Sequence, residues 1–102
     1  MKQYISESVF AGRIVNFGKV TDLSADFTLS GRPFSVLIVP KGGTESQTHV
    51  TMPVKAWASD AFASFPFPEG DWSPLLIKAV EASGLDLTAY DLYWGTGEWF
   101  NE

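Results

Sequence analysis

The sequence predicts an α+β or mainly β domain, built on a curved antiparallel sheet of four or five strands with one or two short helices in its second half. Three observations lead to this prediction: apolar and polar residues alternate over 48–57, two strand-like runs flank a turn at 30–32, and helix-capping residues bracket 74–83. The chain has 102 residues, of which 45% are hydrophobic, so a single domain with its own core is expected over residues 1–102.

The first strand is predicted over residues 4–15, where β-branched and aromatic residues are frequent. From Val9 onward, alternate positions separate into two faces, as the two-residue period of a strand requires. A glycine inside a strand is typical of a bulge or a bend. We therefore expect a long strand that bends at Gly12.

A β-hairpin is predicted between residues 25–29 and 33–39. The two runs, ADFTL and PFSVLIV, are separated by Ser30-Gly31-Arg32, and a three-residue connection that contains glycine is a good hairpin signal. The second run ends at Pro40, and the polar, glycine-rich segment KGGTESQ that follows is typical of a loop at a hairpin tip.

The cleanest alternation in the sequence covers residues 48–57 and predicts another strand. Its core face is predicted from five alternate residues, namely Thr48, Val50, Met52, Val54 and Ala56. The opposite face carries His49, Thr51, Pro53, Lys55 and Trp57. Because proline has no amide hydrogen, Pro53 predicts that this strand lies at a sheet edge or that the proline sits at a bulge.

The segment ASDAFASF predicts a short helix over residues 58–65, with Ser59 as its N-cap. The overlapping segment SFPFPEGDW contains Pro66 and Pro68, which are unfavourable inside a regular element. We expect a rigid turn here, held to the core by two aromatic rings, those of Phe65 and Phe67.

Residues 74–83 allow two interpretations. Ser73 before Pro74 is typical of an N-cap followed by the first helical position, and Gly84 fits the position after a helix C-terminus. The apolar run LLIKAV also suits a buried strand that begins after a turn at 70–71. The helix is favoured, because capping residues discriminate between the two where hydrophobicity does not.

The last predicted element is a terminal strand or hairpin. In the C-terminal segment YDLYWGTGEWF, aromatic residues flank a glycine-rich stretch that is typical of a turn. The sequence shows no internal repeat, no low-complexity segment and no flexible linker.

Charge is distributed unevenly along the chain. The net charge is −5, which argues against a protein that coats nucleic acid by overall electrostatic attraction. Residues 1–55 carry six basic and four acidic groups, a net charge of +2, whereas residues 56–102 carry one lysine and eight acids, a net charge of −7. A mildly basic half is therefore joined to an acidic half.

Several classes of protein are excluded or disfavoured. The chain has no cysteine, so disulfides, thiolate metal sites and a cysteine nucleophile are excluded. The N-terminus lacks the continuous apolar run of a signal peptide, and no stretch approaches the roughly 18 apolar residues of a membrane helix. We expect a soluble, cytoplasmic protein that does not associate with membranes.

No motif in the sequence predicts catalysis, a metal site or a cofactor. The single histidine, His49, has no second histidine or cysteine with which to share a metal, and no acid or serine at a diagnostic spacing. Neither a dinucleotide-binding GxGxxG string nor a phosphate-binding GKS or GKT string is present. The carboxylates of Glu81, Asp86 and Asp91 are better explained as solvated or capping groups than as a pair for acid–base chemistry. We therefore expect a non-enzymatic protein.

The non-core face of strand 48–57 is the most informative surface. Trp57 shares this face with Lys55 and His49, and single-stranded nucleic acid needs a flat ring for base stacking beside cations for phosphate. The alternative is that Trp57 packs under the helix that is predicted to follow.

The order of these parts resembles the oligonucleotide-binding barrel of the bacterial single-stranded DNA-binding protein family. The resemblance covers residues 8–72: VFAGRIV, a Gly-Arg-Pro-Phe turn into SVLIVP, a glycine-rich loop, HVTMPVKAW, a short helical segment and PEGD. It implies an OB-like barrel in which Arg13 follows the first-strand glycine and Arg32 and Phe34 enter the second strand, while Lys55 and Trp57 close the third. Two departures are His49 in place of the family's aromatic residue at the start of the third strand, and a more helical segment after residue 71.

Two functional hypotheses follow. In the first, the protein binds single-stranded nucleic acid, with phosphates held by Arg13, Lys19, Arg32, Lys41 and Lys55 and bases held by Phe34, Trp57 and His49. In the second, it is a protein-interaction module, such as a phage- or plasmid-type accessory protein or inhibitor. It would then dock on a basic, DNA-handling partner through an acidic patch of Asp60, Glu69, Asp71, Asp86 and Asp91. A homo-oligomer is compatible with both hypotheses.

Overall fold

The protein consists mainly of β-strands in the computed structural model, which describes residues 14–97. These residues form six strands and no helix: β1 (Ile14–Val20), β2 (Ser35–Pro40), β3 (His49–Ala56), β4 (Phe62–Pro68), β5 (Ile77–Val80) and β6 (Tyr90–Gly97). Sheet 1 has the strand order β1-β6-β2 and sheet 2 the order β4-β3-β5, and every strand pair is antiparallel.

The prediction of a mainly β domain is confirmed. The described residues form two separate three-stranded sheets, in place of one curved sheet or barrel of four or five strands. The two short helices predicted for the second half are absent from this part of the chain, which also contains no helix long and apolar enough to cross a membrane.

One hydrophobic core takes side chains from both sheets. Val50, Met52 and Val54 of β3 are at most 7% exposed, which confirms the centre of the predicted core face, while Thr48 and Ala56 at its two ends are exposed and half-buried. Burial of one such apolar side chain stabilises a fold by about 1.5–3 kcal/mol. The largest fully buried side chains are those of Phe34, Phe67, Ile38, Met52, Ile77, Leu92, Val36, Val54 and Val80.

Strand β6 lies at the centre of sheet 1 and confirms the prediction of a C-terminal strand. The glycine-rich stretch predicted as a turn belongs to this strand: Gly95 lies opposite Phe17 of β1 and Ser35 of β2. A Cβ atom on Gly95 would lie 2.8 Å from side-chain atoms of both Trp72 and Ile14. This glycine therefore serves close packing and not a turn.

Strand β1 is an edge strand of sheet 1. Most of the strand predicted over 4–15, including the bend at Gly12, lies outside the described residues. Within them, β1 continues beyond the predicted end to Val20, and its pairing with β6 shifts by one residue between Ile14 and Asn16. Such a shift is a bulge, which changes the side of the sheet on which successive residues lie.

The predicted hairpin is wrong in its pairing. The turn at 29–32 forms, with Ser30 at a positive φ of 53°, but residues 25–29 are not a strand. Within this segment, Phe27 makes an isolated bridge to Val80 of β5. The second predicted strand is confirmed as β2, whose partner is β6. A local turn signal indicates that the chain reverses, but it cannot show which distant strand pairs with the segments on either side of the turn.

Strand β3 is the central strand of sheet 2, so the edge position predicted from Pro53 is wrong. In an antiparallel ladder the N–H and C=O of one residue point to the same neighbouring strand. The Pro53 carbonyl accepts a hydrogen bond from the Glu81 amide at 3.1 Å, so the Pro53 nitrogen also faces the β5 side. The ladder with β5 starts only at Val54, opposite Val80, and its irregularity lies between 55 and 56. The missing amide hydrogen of Pro53 therefore costs no strand pairing.

Strand β4 replaces the helix predicted over 58–65. Ser59 Oγ accepts a hydrogen bond from the Ala61 amide at 3.1 Å, so this serine stabilises a tight turn between β3 and β4 where an N-cap was predicted. Two of the three rings of this strand contact the core as predicted, since Phe67 is 1% exposed and Phe65 packs against the core side chains.

The prolines of β4 also contradict the prediction that they end regular structure. Pro66 and Pro68 lie within the strand, opposite Thr51 and His49. The next pair is hydrogen-bonded, because the Glu69 amide donates to the carbonyl of residue 48 at 3.4 Å. Hydrogen-bonded and non-bonded pairs alternate in an antiparallel ladder, so the nitrogens of both prolines point away from β3. Since β4 is an edge strand, no ladder bond is lost there.

Strand β5 shows that the favoured helix over 74–83 is wrong and that the competing strand interpretation is correct. Ser73 does act as a local cap, because its Oγ accepts a hydrogen bond from the Leu75 amide at 3.0 Å. The chain then stays extended because Ile77 exchanges two backbone hydrogen bonds with Phe34, each 3.0 Å long, and β5 pairs with β3.

Candidate functional site

The structure separates the residues that the sequence assigns to nucleic-acid binding. Arg13 lies outside the described residues. Phe34 is 0% exposed and packs edge-on against Phe27 in the core, with 5.5 Å between ring centroids, so its ring offers no face to a base. In the sequence Phe34 is next to a turn, and this position does not indicate that Phe34 pairs with Ile77 of β5.

Lys55, Trp57 and His49 lie on sheet 2 but do not form one cluster. Lys55 Nζ sits 4.8 Å from the centroid of the Phe62 ring, and Trp57, in the turn after β3, is 45% exposed. Trp57 is therefore not packed under a helix. His49 is at the other end of β3, six residues from Lys55, which corresponds to about 20 Å along a strand.

Lys19 and Lys41 come together at one end of sheet 1. Both ammonium groups lie near the same carboxylate: Lys19 Nζ is 3.1 Å and Lys41 Nζ 3.8 Å from Asp91 Oδ1. The side chains of the two lysines remain 47% and 41% exposed, whereas that of Asp91 is 23% exposed. Asp91 thus holds two cations beside each other at the surface.

The acids of the second hypothesis lie in several places. Asp60 accepts a hydrogen bond from Lys78 Nζ at 3.0 Å, and this hydrogen bond and the lysine charge lower the pKa of Asp60. Glu69 is at the far end of β4 from Asp60, about 25 Å along the chain direction, and accepts hydrogen bonds from Ser46 Oγ (2.7 Å) and the Gln47 amide (3.1 Å).

The remaining acids are also engaged locally, apart from the exposed Asp71. Asp86 accepts hydrogen bonds from the Thr88 hydroxyl at 2.6 Å and the Thr88 amide at 3.0 Å, and these bonds lower the pKa of its carboxyl. Asp91 is shared by the two lysines of sheet 1. The five acids therefore do not form a single patch around which an acidic docking surface could be built.

A surface that the sequence analysis missed covers the outer side of sheet 1. We call it the aromatic face, and it consists of Ile14, Phe17, Leu37, Val39, Trp72 and Tyr93. These side chains line an open groove of about 550 Å³. Phe17 is 67% exposed, the highest exposure among the large hydrophobic side chains of the described residues. Monomeric proteins seldom leave contiguous apolar surface of this kind without a use for it.

Strand register explains how the aromatic face is built. Tyr93 of β6 lies opposite Lys19 of β1 and Leu37 of β2, so these three side chains form one row across the sheet. The neighbouring row has Asp91 opposite Val39, and Lys19 and Lys41 border it. The lysine pair therefore stands at the edge of the aromatic face.

Trp72 reaches the face from outside the strands. The chain after β4 runs along the free edge of β2, where the Ser73 amide donates to the Val36 carbonyl at 2.9 Å and Ser35 Oγ donates to the Ser73 carbonyl at 2.7 Å. This anchoring places the Trp72 ring over Gly95 and edge-on to Phe17, with 6.5 Å between ring centroids.

Sequence patterns contain only part of this information. The alternation of Tyr93 and Gly95 with the apolar residues Leu92 and Trp94 could have separated the two faces of β6. Nothing local to Trp72 predicts that it crosses two strands, because its position depends on backbone pairing with β2.

Chemically, the aromatic face offers rings and aliphatic side chains, and the two ammonium groups of Lys19 and Lys41 border it. Among residues 14–97, no three histidine, aspartate or glutamate side chains are placed to hold a metal ion together. No family model, curated protein or solved structure matches this chain.

Proposed function

We propose that this is a non-enzymatic protein that binds single-stranded nucleic acid on the aromatic face of sheet 1. The observation that carries the proposal is one sheet face that presents Phe17, Trp72 and Tyr93 beside Lys19 and Lys41. The proposal keeps the ligand of the first hypothesis but moves its site from sheet 2 to sheet 1.

Base stacking supplies the main binding energy in this proposal. Stacking of a base on an aromatic side chain contributes about 1–3 kcal/mol and tolerates any base, because every base has a π-face. Phe17 is already 67% exposed, so its ring needs no rearrangement before a base can contact it. Trp72 and Tyr93 are half-buried and extend the same surface.

The lysine pair supplies the phosphate contacts. Lys19 and Lys41 are both exposed, but Asp91 neutralises part of their charge. With two phosphate contacts, the logarithm of the binding constant should fall with the logarithm of salt concentration with a slope of about −1.4. The net charge of −5 adds repulsion, so binding should be weak and strengthened by low salt.

Fluorescence anisotropy of a labelled oligothymidylate of about 15 nucleotides, at about 50 and about 200 mM salt, tests the proposal. Phe17→Ala should weaken binding about five- to hundredfold, because it removes one stacking ring without opening the core. Trp57→Ala is the matched control, since it removes an exposed ring from sheet 2 and should leave the affinity unchanged. Absence of any anisotropy change at the lower salt concentration would refute the proposal.

Asp91→Asn separates this proposal from docking on a basic protein. If the ligand is a nucleic acid, loss of the carboxylate releases both lysines and should strengthen binding at low salt. If the partner is a basic protein, the same substitution removes an attractive charge and should weaken capture of that partner. No contact among residues 14–97 favours the second hypothesis, so it enters here only as an outcome of this test.

A further inference from the structure

A second concave site lies at the β1 edge of sheet 1, on the opposite side of the sheet from the aromatic face. It is a cleft of about 490 Å³ between the edge of sheet 1 and the segment 28–32, a size that suits a small organic ligand. Strands β1 and β6 contribute Asn16, Trp94 and Thr96, and the segment contributes Thr28, Ser30 and Arg32. We call it the Arg32 cleft.

We propose that the Arg32 cleft holds one nucleotide, with its base against Trp94 and its phosphate at the Arg32 guanidinium. This inference rests on the proposed function, because the ligand is a single unit of the same strand. The cleft combines the three kinds of group that a nucleotide needs: an aromatic ring, hydroxyl and amide groups, and one cation.

Trp94 is fixed in the cleft by the strand beside it. A Cβ atom on Gly18 would lie 2.8 Å from Trp94 Cζ2 and Nε1, so the indole lies directly against the backbone of β1. The ring is half-buried and packs against the core, while part of it lines the cleft. A ring held in this way provides a stacking surface that loses little conformational freedom on binding.

Arg32 is placed by a strained turn. The Arg32 amide donates to the Leu29 carbonyl at 3.0 Å, and the two residues between them, Ser30 and Gly31, have φ values of 53° and 83°. Left-handed backbone is unfavourable for a residue other than glycine, and such strain is often found at binding sites. The guanidinium group is suited to phosphate because it donates two parallel hydrogen bonds to adjacent oxygens.

The cleft and the aromatic face lie on opposite sides of sheet 1 and share one lining residue, on the edge strand β1. Phe17 lines both of them, so it stands at the point where a bound strand would pass from one to the other. A base turned into the cleft could have its neighbours stacked on Phe17 and Trp72. The hydroxyl and amide groups of Asn16 and Thr28 would contact the edge of that base or its sugar.

Nuclear magnetic resonance of the isotope-labelled full chain tests this inference with deoxyadenosine monophosphate as the probe. We expect shifts of the Trp94 indole N–H and of the Ser30 and Arg32 amides. Deoxyadenosine without its phosphate should bind at least about tenfold more weakly, as should the monophosphate to Arg32→Gln. Lys55→Gln removes the same charge from sheet 2 and is the matched control, with unchanged affinity expected.

Other outcomes overturn the inference. The cleft is not a nucleotide site if the monophosphate fails to shift the Trp94 signal, or if Arg32→Gln binds it as tightly as the Lys55→Gln control. Tyr93→Ala separates the two proposals, since it should weaken oligothymidylate binding without changing the affinity for the monophosphate. Oligonucleotide binding without a Trp94 shift would reject the cleft alone, whereas monophosphate binding without oligonucleotide binding would reject the aromatic face alone.

Discussion

Gly95→Ala should destabilise the protein by about 1–3 kcal/mol, because the space beside this glycine is already filled. The new Cβ would lie 2.8 Å from Ile14 Cγ2 and from Trp72 Cζ3, and 2.9 Å from Trp72 Cη2. Carbon atoms in ordinary contact are about 3.5–4.0 Å apart, so these atoms must move by about 0.7 Å or more. Trp72 cannot retreat easily, because Ser73 is held to β2 by hydrogen bonds of 2.9 and 2.7 Å.

Urea denaturation and thermal melting measure this effect. A loss of 1 kcal/mol lowers the melting temperature of a domain of this size by about 4–8 °C. The same variant should weaken oligothymidylate binding, because the displaced Trp72 ring loses its edge-on contact with Phe17 on the aromatic face. Gly42→Ala is the control, since no atom lies within 4 Å of its Cβ position. If Gly95→Ala is as stable as Gly42→Ala, the tryptophan does not lie over β6 and the aromatic face is described incorrectly.

Three further predictions concern the backbone and the acid sensitivity of the fold. Gly43→Ala should destabilise the fold by about 1 kcal/mol because residue 43 has a φ of 91°, whereas the neighbouring Gly42→Ala should not. Equal urea midpoints for the two variants would contradict this prediction. Pro66→Thr restores an outward amide hydrogen on β4 and should increase self-association in sedimentation experiments, while a monomer at every concentration would contradict it. The folded-state pKa of Asp86 is lowered by Thr88, so its stabilising contribution is present above pH about 4 and is lost as pH falls through the lowered value. The stability difference between the wild type and Asp86→Asn should therefore shrink from pH 6 to pH 3, and a constant difference would disprove this.

The parts of the fold that sequence reasoning predicted correctly are those in which burial is decided within one strand. In β3, the alternation of Val50, Met52 and Val54 is enough, because an apolar residue at every second position can be buried only if the segment is extended. The strand β2 was predicted as a strand-like run after the turn at 30–32, and its apolar residues Val36 and Ile38 are buried. In both cases the segment is a strand whichever strands lie beside it.

The parts that failed depend on a distant partner. Ser73 makes the hydrogen bond expected of a helix cap, and Gly84 is placed where a helix would end, yet the segment is extended because Ile77 pairs with Phe34. Local capping energies are about 1 kcal/mol, and two backbone hydrogen bonds together with a fully buried Ile77 outweigh them. The hairpin at 25–39 failed for the same reason, because β5 supplies a partner for Phe27.

The candidate site was missed for a related reason. Lys55 and Trp57 lie two positions apart, so the strand period alone predicts that they share a face. Phe17, Trp72 and Tyr93 come from three separate parts of the chain. Their meeting requires β6 to lie between β1 and β2 and the segment after β4 to follow the edge of β2. Two small residues make this arrangement possible: Gly95 leaves space for the Trp72 ring, and the Ser35 hydroxyl donates a hydrogen bond to the Ser73 carbonyl. Their roles can be recognised only when the pairing of the strands is known. A site that is assembled across a sheet therefore depends on the small residues that leave space for its aromatic rings as much as on the rings themselves.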